Sequence, residues 1–386
     1  MSTRILHIVS TMDPKAGGVS QAVKTMVKGL LLHQVSNTIV CLDDENVKKD
    51  YKGFNLVTLG KGTTSWNFNS RLHSWLKIHL AEFERAIVHG IWQYQDYAVL
   101  QVMSAAKGTK IYVMPHGMLD PYFQRASGRR LKALRNDLIW KLIDKQLINK
   151  AEGLLFTCET EKILARESFG GYRPKNELVV GLGVEKNECD GGKMAETFLK
   201  EFPAVHSTGY LLFISRIHPK KGLDLLIEAY LNLKKQFDDN MLQLVVAGPG
   251  LETAYGEKIK AMAAKEPNIV FTGMLAGELK WGAFHGCGAF VLPSHQENFG
   301  IAVVEAMSCN KPVLISDQVN IWREIKGKGG GLIAKDTPTG IETLLKEWLT
   351  LKEADKQEMA RKAVNVYQEY FTVETAAKRL KEAIKL

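Results

Sequence analysis

Glu297 and Glu305 lie eight residues apart in the segment VLPSHQENFGIAVVEAMSCNKPVLIS. A buried apolar run ends there at Pro293, and a helix is expected to start near Gly300. The unpaired N–H groups and the dipole of a helix start favour negative charge. Carboxylates beside such an anion site are poor phosphate ligands but good acceptors for sugar hydroxyls. Two surface glutamates at this spacing are common, yet that reading leaves unexplained why ENFG replaces a Ser or Asp cap. Upstream, SRIHPKKGLD places Arg216 just after a strand, with Lys221 five residues on beside Gly222. A forked guanidinium and a point-charge ammonium at a sheet edge suit a diphosphate. A solvated basic loop would look the same on that segment alone. Near the start, TMDPKAGGVS sets Gly17 and Gly18 before a helix, where backbone N–H groups can approach an anion. The bland alternative is a tight turn, as it is for AGPG at Ala247 to Gly250.

These residues need a frame. Short β-branched runs alternate with longer helical patterns through most of the chain. Strands are expected at Ile5 to Val9, Thr38 to Leu42, Asn55 to Leu59, Ala86 to His89, Lys110 to Met114, Gly153 to Thr157 and Glu177 to Val180. A second series is expected at Tyr210 to Ile214, Gln243 to Ala247, Asn268 to Phe271, Ala289 to Leu292, Pro312 to Ile315 and Gly331 to Ala334. Continuous apolar runs of this kind suit parallel strands buried on both faces, joined by right-handed βαβ crossovers. The alternation lapses between Gly181 and Gly209, which marks a domain junction. The expectation is an α/β protein of two doubly wound, Rossmann-like domains, with ligand bound in a cleft that both sheets face. Glu353 to Leu386 reads as helical with a break near Tyr370 to Thr372.

A length of 386 residues, 45% hydrophobic and 24% charged, fits two soluble domains and excludes wholesale disorder. Cys41, Cys158, Cys189, Cys287 and Cys309 form no CxxC pair, which argues against a disulfide framework or zinc ribbon and fits a reducing cytoplasm. The first residues lack the apolar core of a signal peptide, and no run approaches the ~18 apolar residues of a membrane span. The net charge of +9 is uneven: residues 1–190 hold 26 Lys and Arg against 19 Asp and Glu, and the remainder holds 25 against 23. Arg125, Arg129, Arg130, Lys132 and Arg135 form the densest stretch. Few aromatics interleave with it, so nucleic acid is not the expected partner. No GxGxxG or Walker loop follows either first strand, which disfavours a dehydrogenase.

The Glu297 to Glu305 segment resembles the E-x7-E motif of retaining glycosyltransferases of family four, which have the GT-B fold. SRIHPKKG is similar to that family's basic diphosphate loop, and Gly17 and Gly18 match its N-terminal loop in position. HGIW (His89 to Trp92) and PHGM (Pro115 to Met118) fall where the family has short active-site loops. The likeness runs from about residue 5 to 380 and is most specific in the second half.

This resemblance implies a donor domain at about 186–365 and an acceptor-side domain formed by 1–185 with about 366–386, the last helix crossing back onto the first domain. It implies that Glu297 bonds hydroxyls of the donor sugar, while the amides of Asn298, Phe299 and Gly300 line that sugar. The amides of Ile301 and Ala302 would face the diphosphate, with Glu305 on the ribose. Arg216 and Lys221 would neutralise the leaving group. The backbone near Met274 and Leu275 would meet the base, and His116 would approach the donor sugar and the reacting centre. No Asp-x-Asp pair occurs among the 15 aspartates. No metal and no cofactor beyond the nucleotide-sugar substrate are therefore expected.

The reaction implied is transfer of a hexose from a nucleotide sugar, UDP-linked, to a hydroxyl of a glycan or lipid-linked acceptor, with retention. A nucleotide-sugar epimerase of related fold and a catalytically silent sugar-nucleotide-binding protein are the rivals. The basic cluster is expected to face an anionic membrane surface or a lipid-diphosphate acceptor, which places the protein in the cytoplasm, peripheral on the inner face of the membrane.

Overall fold

The computed structural model describes residues 4–125, 130–207, 209–238 and 241–386. The chain forms two compact units, one of residues 1–183 with 373–386 and the other of 184–372.

The first unit is built on seven strands: β1 (Arg4–Val9), β2 (Ser36–Cys41), β3 (Asn55–Thr58), β4 (Arg85–His89), β5 (Lys110–Met114), β6 (Gly153–Phe156) and β7 (Glu177–Val179). Their spatial order is β3-β2-β1-β4-β5-β6-β7, and every pairing is parallel. The second unit holds β8 (Tyr210–Ile214), β9 (Gln243–Ala247), β10 (Ile269–Gly273), β11 (Ala289–Leu292), β12 (Val313–Ser316) and β13 (Gly331–Ala334). Their order is β10-β9-β8-β11-β12-β13, again all parallel. All thirteen apolar runs became strands. Burial on both faces selects such runs, and it is complete for the residues of β6, β11 and β12.

Amphipathic crossovers cover the sheets. In the helix Gly18–Leu32 the face of Val23, Met26, Val27 and Leu30 is buried. The C-terminal helix Val373–Ala383 packs on it at Gly29, where an added Cβ would lie 2.8 Å from the Ala377 Cβ. Arg85 at the start of β4 donates to the carbonyls of Ile384 and Lys385, anchoring the chain end. Each fully buried leucine or isoleucine in these layers stabilises by about 1.5–3 kcal/mol.

The second unit closes on itself through Val184, which donates its N–H to the Phe371 carbonyl and accepts from the Tyr367 hydroxyl. The helix Glu353–Val366 widens to a π turn over Tyr367–Phe371, and extended Thr372 (φ −69°, ψ 152°) ends it. That is where the sequence pattern lapses.

Each strand order reverses once, between β1 and β4 and between β8 and β11. At such a switch point adjacent crossovers leave in opposite directions, so the loops at the strand carboxyl ends open a crevice.

Candidate functional site

In the second unit, β8 and β11 are neighbours, with Leu211 opposite Ala289 and Leu212 opposite Phe290. Their carboxyl ends therefore bring SRIHPKKG and PSHQENFG side by side, although the two lie far apart in sequence. Gly222, at φ 65°, makes the contact, because an added Cβ would fall 2.1 Å from the Pro293 carbonyl oxygen. The His295 N–H donates to the Lys220 carbonyl at 2.8 Å. Lys221 thereby reaches Glu297, and the two form an ion pair with side chains 13% and 23% exposed. The AGPG loop braces the first of these segments: Ser215 and Ile217 donate to the carbonyls of Ala247 and Pro249. A side chain at Gly248 would strike the Ser215 carbonyl, so this loop is more than a turn.

Glu297 is fixed through its backbone. Its N–H donates to the Gln318 carbonyl and its carbonyl accepts from Asn320, each at 2.9 Å, an added parallel bridge to the loop after β12. The Asn320 side chain donates to the Asn298 Oδ1 at 3.3 Å. Phe299 is buried edge-on against Phe371. Gly300, at φ 77°, caps the helix Ile301–Ser308 without a side-chain bond, so the amides of Ile301 and Ala302 open that helix uncapped. One turn on, Glu305 accepts from Lys280 at 2.6 Å, with side chains 13% and 25% exposed. Lys280 comes from the helix Gly277–Gly286 and lies over the Trp281 ring. Met274, 75% exposed, and buried Leu275 follow Gly273 at the end of β10. Arg216 stands exposed after β8. Burial lowers the His218 proton affinity, and the charges of Arg216, Lys220 and Lys221 lower it further, so cations are concentrated here.

The first unit carries a second set. Thr11 and the Met12 N–H donate to the two oxygens of buried Asp43, and the Tyr51 hydroxyl donates to the Met12 carbonyl. This holds the loop after β1, in which Gly17 (φ 107°) precedes the helix starting at Gly18. A Cβ added to either glycine would meet nothing within 4 Å, so the backbone stays open.

His116 ends a row of rings. Asn37 Oδ1 lies 3.0 Å from His7 Nε2, His7 Nδ1 lies 3.0 Å from His89 Nε2, and His89 Nδ1 lies 3.0 Å from His116 Nε2. Strand register places them. Asn37 pairs with Ile5, two residues before His7; His7 pairs with Ile87, two before His89; His89 pairs with Met114, two before His116. Residues two apart share a sheet face, so the row climbs one face towards the carboxyl edge. Burial pushes His7 and His116 down to about 4 and His89 well below the usual range, where the neighbouring rings of His116 and His7 lower it further. His116 has φ 53°, an uncommon backbone for a non-glycine residue. Glu161 secures its loop, accepting from the Gly117 N–H at 2.5 Å and from the Thr157 N–H and hydroxyl at 2.7 and 2.6 Å.

Arg216, Lys221, Met274, Leu275 and Glu297 to Ala302, all expected from the sequence, lie on loops or helix starts at the carboxyl side of the second sheet, and Glu305 lies one turn into the helix Ile301–Ser308. Gly17, Gly18 and His116 hold the equivalent position on the first. His89 was marked only as the first residue of HGIW, without its ring partners. Lys280, His7, Asn37 and Glu161 were not marked: none stands in a motif, and only the recurrence of histidine near three strand ends gave a signal. In the basic cluster, Arg125, Lys132 and Arg135 are exposed. Arg129 lies outside the described residues, as does the Arg130 side chain.

Comparison with known proteins bears on the second unit first. Residues 195–365 match the family model of glycosyl transferases group 1. The matched span holds Arg216, Lys221, Lys280, Glu297 and Glu305. A GDP-mannose-dependent alpha-(1-6)-phosphatidylinositol monomannoside mannosyltransferase of Mycolicibacterium smegmatis is 26% identical over 217 residues, 52% of this chain and 55% of the relative. An uncharacterized glycosyltransferase of Methanocaldococcus jannaschii is 27% identical over 175 residues, 41% of this chain and 44% of the relative. The chain thus spans about half the length of the curated relatives it matches. Among solved structures, HepE from Anabaena, in complex with UDP and glucose, superposes with a TM-score of 0.75 at 16% identity, covering 99% of both chains. That likeness establishes the fold: two parallel-sheet α/β units of the GT-B type.

Proposed function

We propose that this protein is a retaining glycosyltransferase, moving a hexose from a UDP-sugar to a hydroxyl of a glycan or lipid-linked acceptor. The observation that carries the reading is the Lys221–Glu297 pair at the β8/β11 switch point, next to the uncapped helix start at Gly300. Glu297 holds sugar hydroxyls, with the amides of Asn298, Phe299 and Gly300 beside that sugar. Glu305 holds the ribose, and the backbone at Met274 and Leu275 meets the base. Arg216, Lys221, the amides of Ile301 and Ala302 and the helix dipole stabilise charge on the departing diphosphate, so the reaction proceeds without a metal. Gly17 and Gly18 add amides to a phosphate, and His116 presents a ring nitrogen to a substrate hydroxyl. Transfer occurs on one face of the sugar, the leaving phosphate oxygen taking the acceptor's proton.

Two names support the donor class: the Mycolicibacterium relative is described as GDP-mannose-dependent, and the Anabaena structure holds UDP and glucose. The acceptor is assigned to the first unit and the site of action to the cytoplasmic face of a membrane, with Arg125, Arg129, Arg130, Lys132 and Arg135 towards an anionic surface. The test is incubation with UDP-, GDP- and ADP-sugars, scoring nucleotide release and thermal protection. Protection by a UDP-sugar that Glu297→Ala abolishes is the expected result. No response to any nucleotide sugar, with Glu297→Ala indistinguishable from the native protein, would refute the reading.

A further inference from the structure

The helix Arg130–Ile139 continues through a π turn at Trp140–Asp144 into the helix Lys145–Lys150. One face of this rod is buried in the first unit through Asn136, Trp140, Asp144, Leu147 and Ile148. Trp140 stacks on Phe169 at 4.6 Å between ring centroids and donates Nε1–H to the Gly170 carbonyl. These contacts settle which side turns outward.

The outward side is not polar. Leu131, Leu134, Leu138 and Leu142 are 85%, 69%, 57% and 60% exposed, at spacings of three, four and four. Such spacing draws one stripe along a helix, about 17 Å long at ~1.5 Å of rise per residue. Exposed Lys132, Arg135, Lys141 and Lys145 flank it, with Asp137 paired to Lys141 as the acid among them. Arg125 stands exposed just upstream. Contiguous exposed leucines mark an interaction surface, and a leucine stripe edged by cations fits a lipid interface, where the apolar face enters the acyl boundary and the cations meet headgroup phosphates.

We infer that the face of Leu131, Leu134, Leu138 and Leu142 lies in the plane of an anionic lipid bilayer and holds the first unit on it. This deepens the acceptor reading above, on which it rests. Charge decides the occupant. A second copy would bring the same cation rows against these, in a chain of net charge +9, whereas an anionic surface is complementary to them. No described helix is long and apolar enough to cross a membrane, so the contact is a surface one.

The test uses the full chain and vesicles of phosphatidylcholine with and without phosphatidylglycerol, read by co-sedimentation at low and high salt. Charge attraction is screened by salt and apolar insertion is not. The native protein should bind the phosphatidylglycerol vesicles and keep part of that binding at high salt. Leu131→Gln/Leu134→Gln/Leu138→Gln should weaken it by roughly ten-fold or more and abolish the salt-resistant part. Lys132→Gln/Arg135→Gln should lose about five-fold per cation at low salt. Because the leucines are exposed, the circular dichroism should not change. Unaltered vesicle binding by the leucine variant would overturn the inference, as would a dimer that dissociates on that substitution while vesicle binding persists. Equal binding of both vesicle types by the native protein would overturn its anionic part. UDP protection is measured in parallel: its absence in the native protein counts against the transferase reading, while the vesicle result decides the surface.

Discussion

Asn37 and His7 are joined by a hydrogen bond of fixed direction. The Asn37 Nδ2 donates to the Val35 carbonyl at 2.8 Å, and a carbonyl can only accept, so Asn37 turns its Oδ1 to His7. His7 must then carry its proton on Nε2 and accept at Nδ1 from His89 Nε2–H. His89 accepts in turn at Nδ1 from His116 Nε2–H. In the neutral state that burial imposes, His116 is left with a bare Nδ1, which makes no hydrogen bond among the described residues. An amide cannot take a proton, so the row sets a tautomer rather than conducting one.

Replacing that amide by a carboxylate should change the pH profile. Asn37→Asp keeps the acceptor but favours cationic rings, raising their proton affinity. If a neutral His116 is needed, the acid limb of kcat, expected near the value of about 4 to which His116 is held, should move up by about one unit or more. The check is kcat against pH for both proteins; an unmoved limb would separate the histidine row from turnover.

The first unit also buries Asp96 and Asp144. Burial pushes Asp144 up to about 7, and burial with the neighbouring Asp144 pushes Asp96 well above the carboxylate range. A folded-state pKa raised in this way means stability falls as pH rises from about 4 to about 7. His7 and His116, lowered to about 4 from an ordinary 6.5, act oppositely: their contribution falls as pH drops from 6.5 to about 4. Asp144→Asn should therefore stabilise by on the order of 1–3 kcal/mol above pH 7 and leave a steeper rise between pH 4 and 6.5. Denaturant midpoints across pH 4 to 8 test this. A variant whose stability shift is equal at every pH would contradict it.

Lys221→Met should lower kcat about a hundred-fold, the usual loss on removing one stabiliser of a leaving charge. Glu297→Gln should be impaired as well. Because the two side chains are paired, the double variant should be less damaged than the product of the singles, with a coupling of about 0.5–3 kcal/mol. Additive losses would mean that the pair works as two separate groups.

Lys280→Met should act on the donor. Lys280 orients Glu305, the proposed ribose ligand, and not the reacting carbon. Donor KM should rise about ten-fold with kcat changed by no more than roughly two-fold. A selective fall in kcat would move Lys280 to the chemistry itself.

Much of this was legible in the chain. Runs such as Leu211 to Phe213 and Phe290 to Leu292 can be stable only when covered on both faces, so strand positions followed from these runs, and the doubly wound class from their alternation with helical patterns. Glu297, Gly300 and Glu305 were legible because a strand end, a loop and a helix start are contiguous, and local chemistry is written locally. Partnership was not. Lys221 and Glu297 are 76 residues apart, and Lys280 and Glu305 are 25 apart, joined only because crossovers bring separate strand ends to one edge. The histidine row depends on register, since shifting β1 by one residue would turn His7 to the opposite face. Leu131, Leu134, Leu138 and Leu142 show the same limit. Their spacing is that of any core-facing stripe, and only the burial of Asn136, Trp140 and Asp144 on the opposite side turned it towards solvent. Sequence determines which elements form and what chemistry each can carry; tertiary packing decides which face is spent on the core and which partners meet, because those depend on free energies shared by residues distant along the chain.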